Sequence, residues 1–141
     1  MTSVVRLGSR SDPRRSERGV ATVEAVLVVP LVLIPVLFAV IVFGDLWHTR
    51  LVVDAAAAAG ARQAAVVGED GTAVRERIAT ELRDGGIDPN RATVTVEPAV
   101  AEWGQPIRVS VSIDAEAAIP FLGTWAVPLK GEFVTRSEVT H

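Results

Sequence analysis

From Ala25 to Gly44 the chain reads AVLVVPLVLIPVLFAVIVFG, twenty residues without a charge. At 1.5 Å rise per residue such a helix is about 30 Å long, the thickness of a bilayer's hydrocarbon core. The run therefore predicts a membrane-spanning helix. A buried helix of a soluble domain is disfavoured, because a chain this short cannot cover it on every side. Pro30 and Pro35 lie inside the run. Each removes a backbone donor, which predicts either a bend or a locally melted stretch. Past Gly44 the segment Asp45 to Val67 holds no proline and carries the helix-favouring run Ala55–Ala59. The helix is expected to continue through it, and from Val20 to Val67 it would extend about 70 Å.

The next period is again helical. Val74, Ile78 and Leu82 form one apolar stripe, while Arg75, Glu76, Arg77, Glu81 and Arg83 face water. A second helix is predicted over Thr72–Asp84, with Thr72 as N-cap and Gly85-Gly86 as the stop. After Pro89 the period falls to two. Thr93 to Glu97 reads as a strand, and Ile107 to Asp114 alternates without a fault. Pro98 to Pro106 reads as the hairpin loop between them, and a third strand is expected within Trp125 to Val139. Trp103 and Trp125 are expected as core or interface residues, with the edge of the core favoured for each. The fold class is α+β: a long N-terminal transmembrane helix continuing outside the membrane, a second short helix, and a three-stranded antiparallel sheet with one face against the helices.

Charge gives the helix a direction. Residues 1–19 hold Arg6, Arg10, Arg14, Arg15 and Arg18 against Asp12 and Glu17, whereas residues 45–141 are net acidic. Positive charge favours the cytoplasmic side. The chain thus divides into a basic cytoplasmic leader (1–19), a transmembrane helix (20–44) and an extracytoplasmic α+β domain (45–141). A cleaved secretory signal fits less well, because the apolar run exceeds the usual h-region and Asp45 to Asp54 separate it from the small residues Ala55–Ala59. Arg14-Arg15 precedes a core too hydrophobic for a twin-arginine signal.

The remaining composition narrows function. There is no cysteine, which removes thiol chemistry, disulfides and Cys-based zinc sites. His48 and His141 are the only histidines. His48 follows Trp47 where an interfacial aromatic belt is expected. No nucleophile elbow, phosphate loop or zinc-protease motif occurs, so neither enzyme activity, cofactor, metal nor small-molecule substrate is expected. Nucleic-acid binding is not expected, since no basic patch is interleaved with aromatics.

One carboxylate stands out. Glu24 sits at the head of the apolar run. An ionised carboxylate there costs about 2–3 kcal/mol even on insertion scales. It either snorkels to the interface or has a partner. Gly19 precedes it by five residues, after a short basic leader. This arrangement resembles the processing site of type IV prepilins, in which a membrane-embedded peptidase cuts after the glycine. The segment from Glu17 to Val67 is similar to the TadE-like family, the minor pilins or pseudopilins of tight-adherence (Tad/Flp) type IV pili. The features that carry the resemblance are Glu17-Arg18-Gly19, Ala21-Thr22-Val23-Glu24, Val29-Pro30-Leu31, Phe43-Gly44, and Ala56-Ala57 with Gly60-Ala61-Arg62. Ala25 follows Glu24 where the major pilin carries Tyr, and the processed chain would be much longer than that subunit, which implies a minor component.

The resemblance implies a pilin-like fold and cleavage by prepilin peptidase between Gly19 and Val20. It also implies that Glu24 acts as a filament-assembly carboxylate, and that Ala56, Ala57, Gly60, Ala61 and Arg62 form a helix-packing motif. The implied partners are the membrane, prepilin peptidase, other pilins and the pilus assembly platform, at a cell membrane or surface pilus. The alternative is an unprocessed single-pass anchor whose outer domain binds an extracytoplasmic partner.

Overall fold

A computed structural model describes residues 13–119 and 123–139, with side chains from Val26 onward. The chain divides into two units, Met1–Phe38 and Ala39–His141. In the first, the described residues are helical. They belong to α1, Pro13–Val67, whose later turns enter the second unit. The helical backbone runs unbroken through Pro30 and Pro35. Those two prolines leave the carbonyls of Val26 and Leu31 without their usual donors, but no melted stretch results.

The second unit holds the C-terminal turns of α1, then α2 (Thr72–Asp84), a single 3-10 turn (Pro89–Arg91), and strands β1 (Ala92–Glu97), β2 (Pro106–Ile119) and β3 (Gly123–Arg136). The strands form one antiparallel sheet in the order β1-β2-β3. This is the α+β arrangement that the periodicities predict. The stripe Val74, Ile78 and Leu82 is buried, and α2 has the bounds the pattern assigns.

Its ends are made differently at the two sides. Gly71, in extended conformation, occupies the N-cap with no side-chain hydrogen bond, and Thr72 is already helical. The expectation of a Thr72 cap is therefore one residue late. At the other end Gly86 adopts φ 79°. Its N–H donates to Arg83 O at 2.9 Å, and the Ile87 N–H donates to Leu82 O at 2.8 Å. These two bonds satisfy the last carbonyls in a Schellman arrangement, which needs a left-handed residue where Gly86 stands.

The core lies between one face of α1, the stripe of α2 and one face of the sheet. Val53, Ala56, Ala57, Ala61 and Ala64 are fully buried on α1. Ile107, Val109 and Val111 of β2 meet them, with Val96 of β1 beside Val109. Small residues on α1 let the other layers come close. A Cβ built on Gly60 would lie 2.5 Å from Ile78 Cγ1 and 3.4 Å from Val109 Cγ1. A Cβ on Gly131 of β3 would lie 2.7 Å from the Val53 carbonyl oxygen. α2 thus reaches α1 at Gly60, and β3 reaches the Val53 backbone because its own Gly131 has no side chain.

The opposite sheet face is polar. Thr93, Thr95 and Glu97 pair with Ser112, Ser110 and Arg108. The 98–105 connection is a hairpin loop, one residue shorter than expected because Pro106 already belongs to β2, and it is tied down by hydrogen bonds from Asp70 N to Ala99 O (2.7 Å) and from Ala101 N to Gly68 O (2.8 Å). Ser137, after β3, is buried there and donates through Oγ to Ala101 O. Trp103 and Trp125 are 68% and 48% exposed, not core-edge residues. Trp103 stands on the loop outside the packed layers, and Trp125 lies on the part of β3 that β1 does not accompany.

The close approaches make an ordered prediction. Gly131→Ala drives a Cβ into a backbone carbonyl that cannot swing aside, and should destabilise by about 1–3 kcal/mol. Gly60→Ala meets the Ile78 side chain, which can shift where a backbone carbonyl cannot, and should destabilise less. Gly44→Ala, with open space around it, should not lower stability. Thermal melts of the detergent-solubilised chain, followed by near-UV circular dichroism, give the order. Equal melting of the Gly131 and Gly44 variants would refute the packing argument.

Candidate membrane and assembly segment

α1 carries every candidate processing, assembly and helix-packing residue that the sequence singles out. Gly19, Val20 and Glu24 lie on its helical backbone, and their side chains are outside the described residues. Glu24 lies five positions after Gly19, which on a helix is about 7.5 Å of rise.

From Val26 the side chains are described, and the pattern is plain. Every large apolar residue between Val26 and Phe43 is exposed, apart from half-buried Val42. Leu27, Leu31 and Leu33 are 70%, 73% and 60% exposed. A bare apolar surface on all sides of a helix has no partner in water, and so marks a membrane or protein contact. The helix is long and apolar enough to cross a membrane, which makes it a candidate anchor.

At Asp45 the helix surface changes character. Arg50 Nε donates to Asp54 Oδ2 at 2.9 Å, one turn apart on an exposed face. The Thr49 hydroxyl donates back to the Asp45 carbonyl at 2.9 Å. His48 and Trp47 are exposed at the first turns after the apolar run. Burial becomes one-sided. Val42, Leu46 and Thr49 are half-buried, and Val53, Ala56, Gly60 and Ala64 are buried, a spacing of three and four residues. Ala56, Ala57, Gly60 and Ala61 are thus packed against the chain's own α2 and sheet, whereas Arg62 is exposed.

Among the described residues no cluster of histidine, aspartate or glutamate is arranged to hold a metal ion. The shallow groove on the polar sheet face is lined by Thr93, Thr95, Ser110 and Ser112, with Arg108 and Lys130 at its side. Both cations lie close to Glu132, at 3.3 and 3.1 Å. That arrangement is a solvated ion-pair surface of small energetic consequence.

In the far half of the β2–β3 hairpin, where Ile119 and Trp125 are exposed, the sequence patterns singled out Trp125 alone, as a core-edge residue. The available signal was the uncharged stretch Ala117 to Leu129, bounded by Glu116 and Lys130.

Comparison with known proteins gives one positive result. No curated protein and no solved structure matches the chain. A family model matches from the glycine of the candidate processing site, through the apolar run, to the end of the small-residue motif. Residues 19–62, less than half of the chain, match the model described as TadE, TadE-like protein, so this segment is similar to the TadE-like family.

Proposed function

We propose that the chain is a minor pilin or pseudopilin, a structural or assembly component of a tight-adherence type IV pilus. The observation that carries this reading is the position of the family match. It starts at Gly19, includes Glu24 five residues later, and runs into a helix whose apolar side chains are bare on all sides. In this reading residues 20–44 anchor the chain, residues 1–19 lie in the cytoplasm, and residues 45–141 lie outside. The asymmetry of arginines supports that orientation.

The chemistry follows from the two ends of one peptide bond. Prepilin peptidase hydrolyses the Gly19–Val20 amide. The new amino group of Val20 takes up a proton and becomes an ammonium. In an assembled filament a neighbour's ammonium meets the Glu24 carboxylate in apolar surroundings, where an unpaired charge is strongly disfavoured. The pair neutralises both groups and fixes the stagger between subunits. The apolar surface of α1 then packs on neighbouring helices instead of lipid.

Two experiments test this. Mass spectrometry of the native protein, from cells that contain a prepilin peptidase, should give Val20 as the N-terminus. An intact leader in piliated cells would favour the other reading, an unprocessed anchor with an outer binding domain.

Glu24→Ala and Glu24→Gln should leave membrane insertion intact. They should lower pilus assembly sharply, since removing one partner of a buried ion pair costs about 3–5 kcal/mol. Shed-pilus yield and membrane fractionation measure the two effects separately. Normal piliation in both variants would eliminate the charge pairing.

A further inference from the structure

Two contacts fix how the β2–β3 hairpin runs against α1 within the second unit. Gly60 of α1 faces Val109 of β2, and the earlier helix residue Val53 meets Gly131, whose strand partner is Val111. Moving along β2 from Val109 to Val111 therefore moves toward the N-terminal end of α1. The hairpin keeps this direction to its last pair, Ile119↔Gly123. From Val111 to Ile119 is about 26 Å at 3.3 Å per strand residue. From Val53 back to Gly44 is only about 14 Å of helix. The hairpin thus reaches the level of Gly44 even when it crosses the helix obliquely. The covered face of α1 agrees, since Thr49, Leu46 and Val42 are half-shielded while Phe43, Trp47 and Leu51 are exposed.

β1 does not accompany this half of the hairpin, because its pairing with β2 ends at Ala92↔Ile113. Ala117 is nevertheless buried, and beside it Trp125 and Ile119 are 48% and 37% exposed. No charge occurs from Ala117 to Leu129. An uncharged apolar end carrying a tryptophan, beside the turns where α1 leaves its apolar run, has the composition of a membrane-interface element. Trp47, 59% exposed on α1, stands at the same end.

We propose that the far half of the β2–β3 hairpin is a second membrane contact, with Ile119 and Trp125 seated in the interface of the bilayer that α1 spans. This rests on the reading of α1 as a membrane helix. The contact would hold the outer domain close to the bilayer before assembly. It would be given up when the subunit leaves the membrane.

The test uses the full chain in phosphatidylcholine vesicles, with plain or brominated acyl chains. Three single-tryptophan variants are compared: Trp125 alone (Trp47→Phe, Trp103→Phe), Trp47 alone (Trp103→Phe, Trp125→Phe) and Trp103 alone (Trp47→Phe, Trp125→Phe). Far-UV circular dichroism verifies that each is folded. Trp47 and Trp125 should lose most of their emission in brominated lipid. Trp103, on the loop at the other end of the sheet, should keep its emission. Adding Ile119→Glu to the Trp125 variant should restore its emission without changing Trp47. Quenching of Trp47 but not Trp125 would overturn the hairpin contact and leave the anchor standing. Shielding of Trp125 that depends on protein density without bromine quenching would assign the patch to a second copy and overturn the lipid contact. Absence of quenching at both Trp47 and Trp125 would overturn the anchor reading and the contact together.

Discussion

The close approach of α2 and the sheet to the small-residue face of α1 organises the second unit. Gly60 admits Ile78 to within reach of the helix backbone, and Gly131 brings β3 onto the Val53 carbonyl. Alanine at positions 56, 57, 61 and 64 keeps that face low along several turns. Large side chains therefore come from the other layers: Ile78, Leu82, Ile107, Val109 and Val111. A core that pairs small positions with large ones fills space without voids, and each missing methyl group on one side is matched by bulk on the other. It also fixes direction. With β3 seated on Val53 and β2 on Gly60, the rest of the hairpin has one course to follow.

The same face has a consequence for assembly. Ala-rich, glycine-containing helix faces often serve contacts between chains, because they allow backbones to come close. Here the surface at Ala56, Ala57, Gly60 and Ala61 is already covered from within the chain. Among the described residues, α1 leaves bare the apolar stretch from Val26 to Phe43, apart from half-buried Val42, together with Trp47, Leu51 and Val66. On the proposed function, contacts with neighbouring subunits fall on that stretch, and the small-residue motif acts inside the subunit by holding its domain on the helix.

The parts of this architecture visible in the sequence are those with a period. The stripe Val74, Ile78, Leu82 and the alternation from Ile107 to Asp114 each state which face is buried, and burial follows them. β2 nonetheless continues to Ile119, through Ala115, Glu116, Ala117 and Ala118. Those residues have low intrinsic strand preference, and pairing with β3 imposes the conformation. Trp103 and Trp125 misled for a related reason. Bulk and aromaticity predict burial only when another layer lies above, and which stretch of the sheet the helices cover is a tertiary fact. The close contacts at Gly60 and Gly131 were equally hidden, since a glycine in a sequence does not name its neighbour. The Gly19–Glu24 spacing was legible as a motif, and the family match begins at that glycine.

The proposed carboxylate and the bare helix make one thermodynamic argument. In the bilayer the apolar side chains of α1 are satisfied by lipid, so transfer to neighbouring helices gains little from the hydrophobic effect. Glu24 is different. Near the membrane core an ionised carboxylate costs about 2–3 kcal/mol, and on the proposed function an ammonium from a neighbour removes that cost only in the assembled state. The charge therefore supplies a difference between bilayer and filament that the apolar surface does not. Cleavage before Val20 creates the matching cation, so on this reading processing controls when that difference exists. An uncut chain would retain the helix and its solubility in lipid, but would lack the group that makes leaving lipid favourable.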